Sequence, residues 1–266
     1  MLALAFPNIN PVMLEIGPFK MHWYGAAYAV AVLAIYKLTK KLAKKFKINI
    51  TDKNLEDFLL WVVLGIIVGG RLGYVIFYDL TKYLQNPIDI FKTYEGGMSF
   101  HGGLFGVIAA TYLFAKKHHI NYWNFIDLIA VGTPIGLFLG RLANFINGEL
   151  YGNVSNISWA FIFPGETLPR HPSQLYEAFL EGIVLFAIML YITYKKNSLA
   201  KPSLNSGVFL SSYAVFRMFI ELFRQPDSHI GYLYSSITMG HLLSLPLLLL
   251  GIYLIFRSLS NPTAKK

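Results

Sequence analysis

The 266-residue sequence contains no cysteine, and only 14% of its residues are charged. Without cysteine the chain forms no disulfide, offers no thiolate to a metal and supplies no sulfur nucleophile of its own. Soluble domains usually carry about a quarter charged residues. The low charge, together with 55% hydrophobic residues and a mean hydropathy of +0.49, excludes the soluble, disordered, fibrous and nucleic-acid-binding classes and indicates a membrane protein.

Seven mostly apolar stretches, each about 20 residues long, predict an all-α polytopic membrane protein with seven transmembrane helices in one domain, residues 1–266. These stretches are 17–38, 58–78, 98–115, 125–146, 175–194, 207–223 and 237–256. We expect the loops 79–97 and 147–174 to form a small outer cap. Because the first residues lack a basic region and Pro7 and Pro11 interrupt their apolar run, we expect no cleaved signal peptide.

The basic residues predict the orientation of these helices. Of the 23 lysines and arginines, fifteen lie in the odd-numbered connections and the C-terminal tail, whereas five lie in the opposite connections. Cytoplasmic loops of membrane proteins carry an excess of Lys and Arg. The distribution therefore places the N-terminus outside and the C-terminus in the cytoplasm.

Two sets of glycines at four-residue spacing predict close helix packing. Gly65, Gly69 and Gly73 form one set, and Gly132, Gly136 and Gly140 form the other. Small residues at this spacing let the backbones of two helices approach each other.

Several ionisable residues lie within the predicted helices, where each charge costs at least about 2.5–3.5 kcal/mol to insert. With the predicted orientation, most of these residues fall in the outer half of the membrane, namely Arg71, His101, Arg141, Glu177, Glu181, Arg217 and Glu221. Asp127, near the inner end of its predicted helix, is the main exception. Buried ion pairs explain Arg71, Glu177 and Glu181 at least as well as function does. For Arg141, Arg217 and Arg224 we favour phosphate binding, because a planar guanidinium suits a phosphate group.

His101 opens the segment HGGLFG and directly follows EGGMSF. A single histidine is usually structural, but the flanking glycines give this one a flexible entry to its helix. Because the imidazole pKa lies near 6.5, His101 is also suited to proton transfer at neutral pH.

The run GRLANFINGELYG, residues 140–152, resembles the signature of the bacterial prolipoprotein diacylglyceryl transferase family. Further segments similar to that family are MHWYG at Tyr24, GGRLGYVIFY at Arg71, HGGLFG at His101, RHPSQLYE at 170–177 and FRMFIELFRQPD at 216–227. The resemblance extends over nearly the whole chain.

The resemblance implies transfer of the diacylglyceryl group from phosphatidylglycerol to the thiol of a lipobox cysteine in a prolipoprotein signal peptide. It also implies release of glycerol 1-phosphate. The distribution of basic residues and the depth of the charged residues place the active site toward the outer, periplasmic leaflet of the bacterial inner membrane. We expect no cofactor, metal or nucleic acid. The implied catalytic residues are His101, Arg141, Arg217, Glu221 and Tyr24. The residues implied to bind phosphatidylglycerol are Arg141, Asn144, Glu149, Gly152 and Arg217.

Chemical reasoning gives these residues distinct roles. A thiol with a pKa near 8.5 needs a base to attack, and His101 is the candidate. Arg141 and Arg217 would stabilise the charge that develops on the departing phosphate. Glu221 and Glu149 would orient those arginines, Asn144 would donate to the headgroup, and Tyr24 would close the pocket.

Three other functions would also place charged residues in membrane helices. A transporter or channel is less favoured, because it would need polar residues through the full membrane depth, whereas these stop in the outer half apart from Asp127. A seven-span receptor or retinal protein is disfavoured, because the last predicted helix has no lysine for retinal attachment and nothing indicates a signalling surface. A noncatalytic phospholipid-binding protein would use the same arginines without His101 acting as a base.

Overall fold

The computed structural model describes residues 3–7, 9–17, 19–93, 96–226 and 237–260, without the side chains of Phe19, Phe100 and His101. The described chain is mostly helical. Its α-helices are α1 (Trp23–Lys45), α2 (Asp52–Tyr78), α3 (Leu80–Gln85), α4 (Phe100–Lys117), α5 (Tyr122–Ile146), α6 (Ser173–Glu177), α7 (Leu185–Lys195), α8 (Leu204–Ile220) and α9 (Met239–Ser260). A π-helical segment, Ala178–Val184, joins α6 to α7, and short 3₁₀ helices cover Pro87–Phe91 and Ser198–Ala200.

The strands are short. They are β1 (Leu4–Ala5), β2 (Val12–Ile16), β3 (Phe19–His22) and β4 (Phe161–Ile162). Strands β2 and β3 pair antiparallel, whereas β1 and β4 pair in parallel. The predicted fold is therefore correct in being mostly helical but omits these strands.

Four helices are long and apolar enough to cross a membrane. They are Asp52–Tyr78, Tyr122–Ile146, Ser173–Lys195 and Met239–Ser260, and Leu204–Ile220 is a shorter apolar helix. Helix α2 exposes large apolar side chains, among them Leu60, Val63 and Leu64. Such a surface is stable against lipid rather than water. The chain is thus a membrane protein, and its seven-helix topology remains a prediction.

The start of the first predicted helix is wrong. Strand β3 occupies Phe19–His22, and α1 begins only at Trp23. The helix then continues to Lys45, so lysines that we expected in a connecting loop are helical. A run of apolar residues gives the same hydropathy in a strand as in a helix, so hydropathy does not separate the two.

Two compact units divide the chain. One comprises Met1–Leu42 and Asp127–Lys266, and the other comprises Ala43–Ile126. Each is described separately below. The expected single domain and the expected outer cap remain predictions.

In the unit Ala43–Ile126, α2 and α4 pack through glycines. A Cβ atom on Gly69 would lie 2.4 Å from the carbonyl oxygen of Gly102, and one on Gly65 would lie 2.7 Å from that of Gly106. Neither position has room for a larger residue. The first predicted glycine face is therefore confirmed.

Arg71 of α2 is buried and holds the connection between α2 and α4. Its guanidinium donates to five backbone carbonyl groups at 2.6–3.2 Å, those of Asp89, Ile90, Lys92, Gly96 and Gly97. Among the described residues, backbone dipoles therefore compensate its charge, and the ion-pair interpretation of Arg71 remains a prediction. The hydroxyl of Ser99 then caps α4 by accepting from the N–H of Gly102.

In the other unit, Asp127 has a structural role that accounts for its position outside the outer-half group of ionisable residues. Its side chain is fully buried, and Oδ1 accepts hydrogen bonds from the backbone N–H and the hydroxyl of Ser206 at 2.8 and 2.5 Å. Asp127 of α5 thereby caps the first turn of α8.

The second predicted glycine face is only partly used in this unit. A Cβ atom on Gly132 would lie 3.1 Å from Ile35, but one on Gly140 would have nothing within 4 Å. Only Gly132 therefore marks a close approach to α1.

Candidate functional site

Three arginines and three glutamates meet at the ends of α5, α6 and α8. This arginine–carboxylate cluster consists of Arg141, Glu177, Glu181, Arg217, Glu221 and Arg224. Glu177 joins the helices, because its Oε2 lies 2.9 Å from Nε of Arg141 and its Oε1 lies 2.5 Å from Nη1 of Arg217. Residues 76 positions apart in sequence thus share one carboxylate.

Residues at the end of α8 and just beyond it form the second half of the cluster. Nη2 of Arg217 pairs with Oε1 of Glu221, and Nη1 of Arg224 lies 3.5 Å from that same oxygen. The hydroxyl of Thr238 donates to Oε2 of Glu221 at 2.5 Å. Both oxygens of Glu221 are therefore engaged, and the expected role of this residue in orienting an arginine has a structural basis.

The acidic side chains of the cluster are more deeply buried than the basic ones. The side chains of Glu177 and Glu181 are 0% exposed, whereas those of Arg141, Arg217 and Arg224 are 19%, 10% and 15% exposed. The carboxylates thus lie behind the guanidinium groups. The more accessible part of the cluster is therefore cationic, and guanidinium groups are suited to bind an anion such as a phosphate.

Tyr24, Asn144 and Glu149 form a second polar group beside Arg141. The Tyr24 hydroxyl donates to Oε1 of Glu149, and the Asn144 amide donates to the Tyr24 hydroxyl and, at 3.1 Å, to the same Glu149 oxygen. Nη1 of Arg141 lies 3.4 Å from Oδ1 of Asn144. We expected Glu149 to orient an arginine directly. Among the described contacts, Asn144 touches Arg141 and also donates to Glu149, so it links the two.

The chain beyond α5 turns sharply to place Glu149. Gly148 and Leu150 adopt φ values of +66° and +56°, a left-handed conformation that glycine adopts readily and leucine rarely does. The Gln174 amide donates to the carbonyl of Glu149 at 2.5 Å, and the Ser173 hydroxyl donates to that of Leu150 at 3.0 Å. Residues of α6 therefore secure the strained turn.

Gly152 is in backbone contact with the segment that follows α8. Its N–H donates to the carbonyl of His171 at 2.8 Å, and it forms an antiparallel bridge with Arg224. A Cβ atom at this position would lie 2.3 Å from the carbonyl oxygen of Phe223. Gly152 thus positions the chain around Arg224, whereas the resemblance implied a direct role in lipid binding.

Outside the helices, Glu166 connects two parts of the 147–174 loop. It accepts from the Tyr151 hydroxyl at 2.6 Å and pairs with Nε of Arg170 at 2.8 Å. These contacts, the tyrosine hydrogen bond first, hold the pKa of Glu166 below its usual value, and the same hydrogen bond raises the pKa of Tyr151. Arg170 also donates to Gln225 at 2.9 Å, so the loop is tied to the chain beyond Arg224.

The structure brings together most of the residues predicted from sequence. Arg141, Arg217, Glu221, Tyr24, Asn144 and Glu149 lie in the cluster or beside it, within one compact unit. The backbone of His101 lies in the first turn of α4 in the other unit, and its side chain lies outside the described residues. Glu177 is part of a buried ion-pair network, as the ion-pair interpretation of this residue predicted.

Thr238 and Gln174 were missed as parts of the site. Gln174 lies in the quoted segment RHPSQLYE, so its position three residues before Glu177 offered a signal. Thr238 offered none, because nothing in its sequence context distinguishes it from any other threonine.

Comparison with known proteins identifies the family. A family model described as prolipoprotein diacylglyceryl transferase matches residues 11–257. The chain belongs to the prolipoprotein diacylglyceryl transferase family. It is 58% identical over 260 residues to a phosphatidylglycerol--prolipoprotein diacylglyceryl transferase of Rickettsia felis, covering 97% of this chain and 100% of that protein. A relative of the same name from Rickettsia canadensis is 56% identical over 256 residues, covering 96% of this chain and 99% of that protein. The resemblance read from the sequence motifs is thereby confirmed.

Proposed function

We propose that this membrane protein transfers the diacylglyceryl group of phosphatidylglycerol to the thiol of a lipobox cysteine in a prolipoprotein and releases glycerol 1-phosphate. The observation that carries this proposal is the meeting of Arg141 and Arg217 on the two oxygens of Glu177. Membership of the transferase family supports the same reaction.

The arginines are suited to both the substrate and the transition state. Nε of Arg141 pairs with Glu177 at 2.9 Å, whereas its terminal nitrogens make longer contacts, 3.4 Å to Oδ1 of Asn144 and 3.8 Å to Oε2 of Glu181. We propose that these two less tightly held nitrogens form the fork that binds phosphate oxygens. During transfer, the peptide sulfur attacks the glycerol carbon that bears the phosphate ester, and the carbon–oxygen bond breaks. Because its electron pair goes to the phosphate oxygen, negative charge grows beside the guanidinium groups, which stabilise it by several kcal/mol.

The thiol proton needs an acceptor, and His101 is proposed for this role. Its flanking glycines and its position in the first turn of α4 support the assignment. A neutral imidazole accepts a proton at the pH at which a thiol is mostly unionised.

Tyr24, Asn144 and Glu149 are proposed to order the side of the site next to Arg141. The Asn144 contact to Arg141 at 3.4 Å links this group to the phosphate-binding fork. We propose that Tyr24 covers the bound headgroup and that Asn144 donates to it.

We also propose that the chain spans the bacterial inner membrane seven times, with the reaction at the outer, periplasmic leaflet. The excess of lysine and arginine in the odd-numbered connections supports this orientation. Phosphatidylglycerol would then enter sideways from the bilayer, and the lipobox peptide would arrive from the membrane as part of a signal peptide.

The reaction can be tested by mass spectrometry. Purified protein is incubated with phosphatidylglycerol and a lipobox peptide, and the peptide should gain the mass of one diacylglyceryl group. A peptide with serine in place of the cysteine is the control and should remain unmodified. Unchanged cysteine peptide, with lipid still bound to the protein, would instead favour a noncatalytic phospholipid-binding function.

Two sets of variants test the residue roles. Arg141→Ala should abolish transfer while the protein remains folded and inserted, and normal activity in both Arg141→Ala and Arg141→Lys would refute the phosphate role.

His101→Gln should lose the base, and full activity in that variant would assign proton removal to another group.

A further inference from the structure

Glu181 is a buried carboxylate that the proposed reaction does not use. It lies in the π-helical segment Ala178–Val184 and is 0% exposed. Neither of its side-chain oxygens has a hydrogen-bond partner among the described residues. The nearest cation is Arg141, whose Nη2 lies 3.8 Å from Oε2. An ionised carboxylate without hydrogen bonds is costly to bury.

The neighbouring carboxylates are much better compensated. Glu177 contacts Arg141 and Arg217 at 2.9 and 2.5 Å, and Glu221 pairs with Arg217 and accepts from Thr238. Glu149 accepts from Tyr24 and Asn144. Of these four carboxylates, Glu181 is therefore the one whose negative charge the site stabilises least.

The site already holds an excess of negative charge before a lipid binds. The cluster and the neighbouring Glu149 together hold three arginines and four carboxylates, the latter being those of Glu149, Glu177, Glu181 and Glu221. A phosphodiester adds one more negative charge in the same buried region. Like charges at close range favour protonation of the least stabilised member.

We propose that Glu181 takes up one proton from solvent when an anionic phosphodiester binds to Arg141 and Arg217. The neutral carboxyl no longer competes for Nη2 of Arg141, so that nitrogen becomes available to a phosphate oxygen. This inference rests on the proposed phosphate site, and it assigns Glu181 a role in headgroup binding rather than in bond breaking.

The local structure supports direct communication between Glu181 and Arg141. A Cβ atom on Gly182 would lie 2.7 Å from Cβ of Phe138, so the π-helical segment and α5 are in backbone contact one turn before Arg141. π-Helical turns are frequent at functional sites. The other charged or titratable groups around Glu181 are Glu177 on the same helix and Tyr213, Arg217 and Arg224 on or beyond α8.

Calorimetry of lipid binding tests the proposal without the peptide thiol. A water-soluble, short-chain phosphatidylglycerol is titrated into the full-length protein in detergent between pH 6 and 9, and at each pH in two buffers of different ionisation enthalpy. A phosphodiester does not titrate in this range, so the buffer dependence reports protons taken up by the protein. Glu181→Gln mimics the neutral carboxyl, and Glu15→Gln, which alters an exposed carboxylate paired with Lys20, is the matched control.

The wild-type protein and Glu15→Gln should take up close to one proton at alkaline pH, and their affinity should fall by up to about tenfold per pH unit. Glu181→Gln should show neither the uptake nor the fall. Wild-type binding without proton uptake would overturn the proposal, and this measurement does not depend on the stability of any variant. An unchanged pH dependence of affinity in Glu181→Gln would overturn it as well. Failure of the wild-type protein to bind the lipid at all would refute the phosphate site itself.

Discussion

At the scale of single residues, the two oxygens of Glu177 contact guanidinium groups from α5 and α8. The fully buried carboxylate therefore determines where Arg141 and Arg217 lie. An aspartate would be one methylene too short to reach both, and a neutral side chain would leave two buried cations less compensated. Glu177 is thus a positioning residue for the proposed phosphate site.

Glu177→Gln should reduce both stability and activity. Removing one partner of a buried ion-pair network costs about 3–5 kcal/mol, and misplacing a charge-stabilising donor costs about 100-fold in rate or more. The thermal midpoint in detergent and the initial rate of peptide modification measure the two effects. Glu166→Gln, which breaks the pair with Arg170 in the 147–174 loop, is the control and should retain most activity. A normal rate in Glu177→Gln would show that the arginines need no shared carboxylate.

Sequence reasoning predicted the meeting of Arg141 and Arg217 but not the residue that joins them. Their common depth in the predicted helices was sufficient for the first conclusion. The relative positions of Glu177 and Glu181 around the helix were not predictable from the sequence. The π-helical segment Ala178–Val184 changes the rotation per residue, so a count at 3.6 residues per turn does not apply there.

At the scale of secondary-structure elements, Gly152 lets the chain after α5 lie against the chain after α8. Gly152→Ala should push away the carbonyl of Phe223, 2.3 Å from the new Cβ, and should displace Arg224. We expect loss of most transfer activity and a lower thermal midpoint. Gly136→Ala is the matched control, since its Cβ would meet Ile35 at an ordinary 3.8 Å and alanine favours a helix by about 1 kcal/mol. Equal effects of both substitutions would contradict this account.

Asp127 acts on the start of α8, at the opposite end of that helix from Arg217. Asp127→Ala removes the acceptor for the backbone N–H and hydroxyl of Ser206 and should cost about 1–2 kcal/mol of stability. Asp127→Asn keeps one acceptor oxygen and should cost less. Unfolding midpoints of the two variants test this order. Specific activity of the folded fraction should be unchanged, and a selective loss of activity in Asp127→Asn would assign this residue a role in the reaction.

Hydropathy located the long helices, apart from the start of the first, but not the elements between them. The hairpin of β2 and β3 and the helix α3 are too short for a window of about 19 residues to resolve. The first predicted glycine face was correct because Gly65 and Gly69 meet glycines on α4. Gly140 shares that spacing, but a Cβ atom there would have no atom of the described chain within 4 Å. Spacing alone does not specify a partner.

At the scale of the whole molecule, the absence of cysteine makes the proposed topology directly testable. Single cysteines can be introduced at exposed positions, Asn156→Cys in the 147–174 loop and Lys196→Cys after α7. In intact spheroplasts, a membrane-impermeant maleimide should label position 156 and leave position 196 unlabelled until the membrane is opened. The unsubstituted chain is the unlabelled control. The reverse pattern would invert the orientation and place the arginine–carboxylate cluster toward the cytoplasm.

The central claim is that Arg141 and Arg217 together hold the phosphate of phosphatidylglycerol. An experimental structure of the protein with bound short-chain phosphatidylglycerol tests it most directly, through the position of the phosphorus atom. We predict phosphate oxygens within hydrogen-bond distance of both guanidinium groups, with Glu177 still between the two arginines. A phosphate bound elsewhere on the protein, with the contacts of Arg141 and Arg217 unchanged and no ligand at either, would contradict the claim.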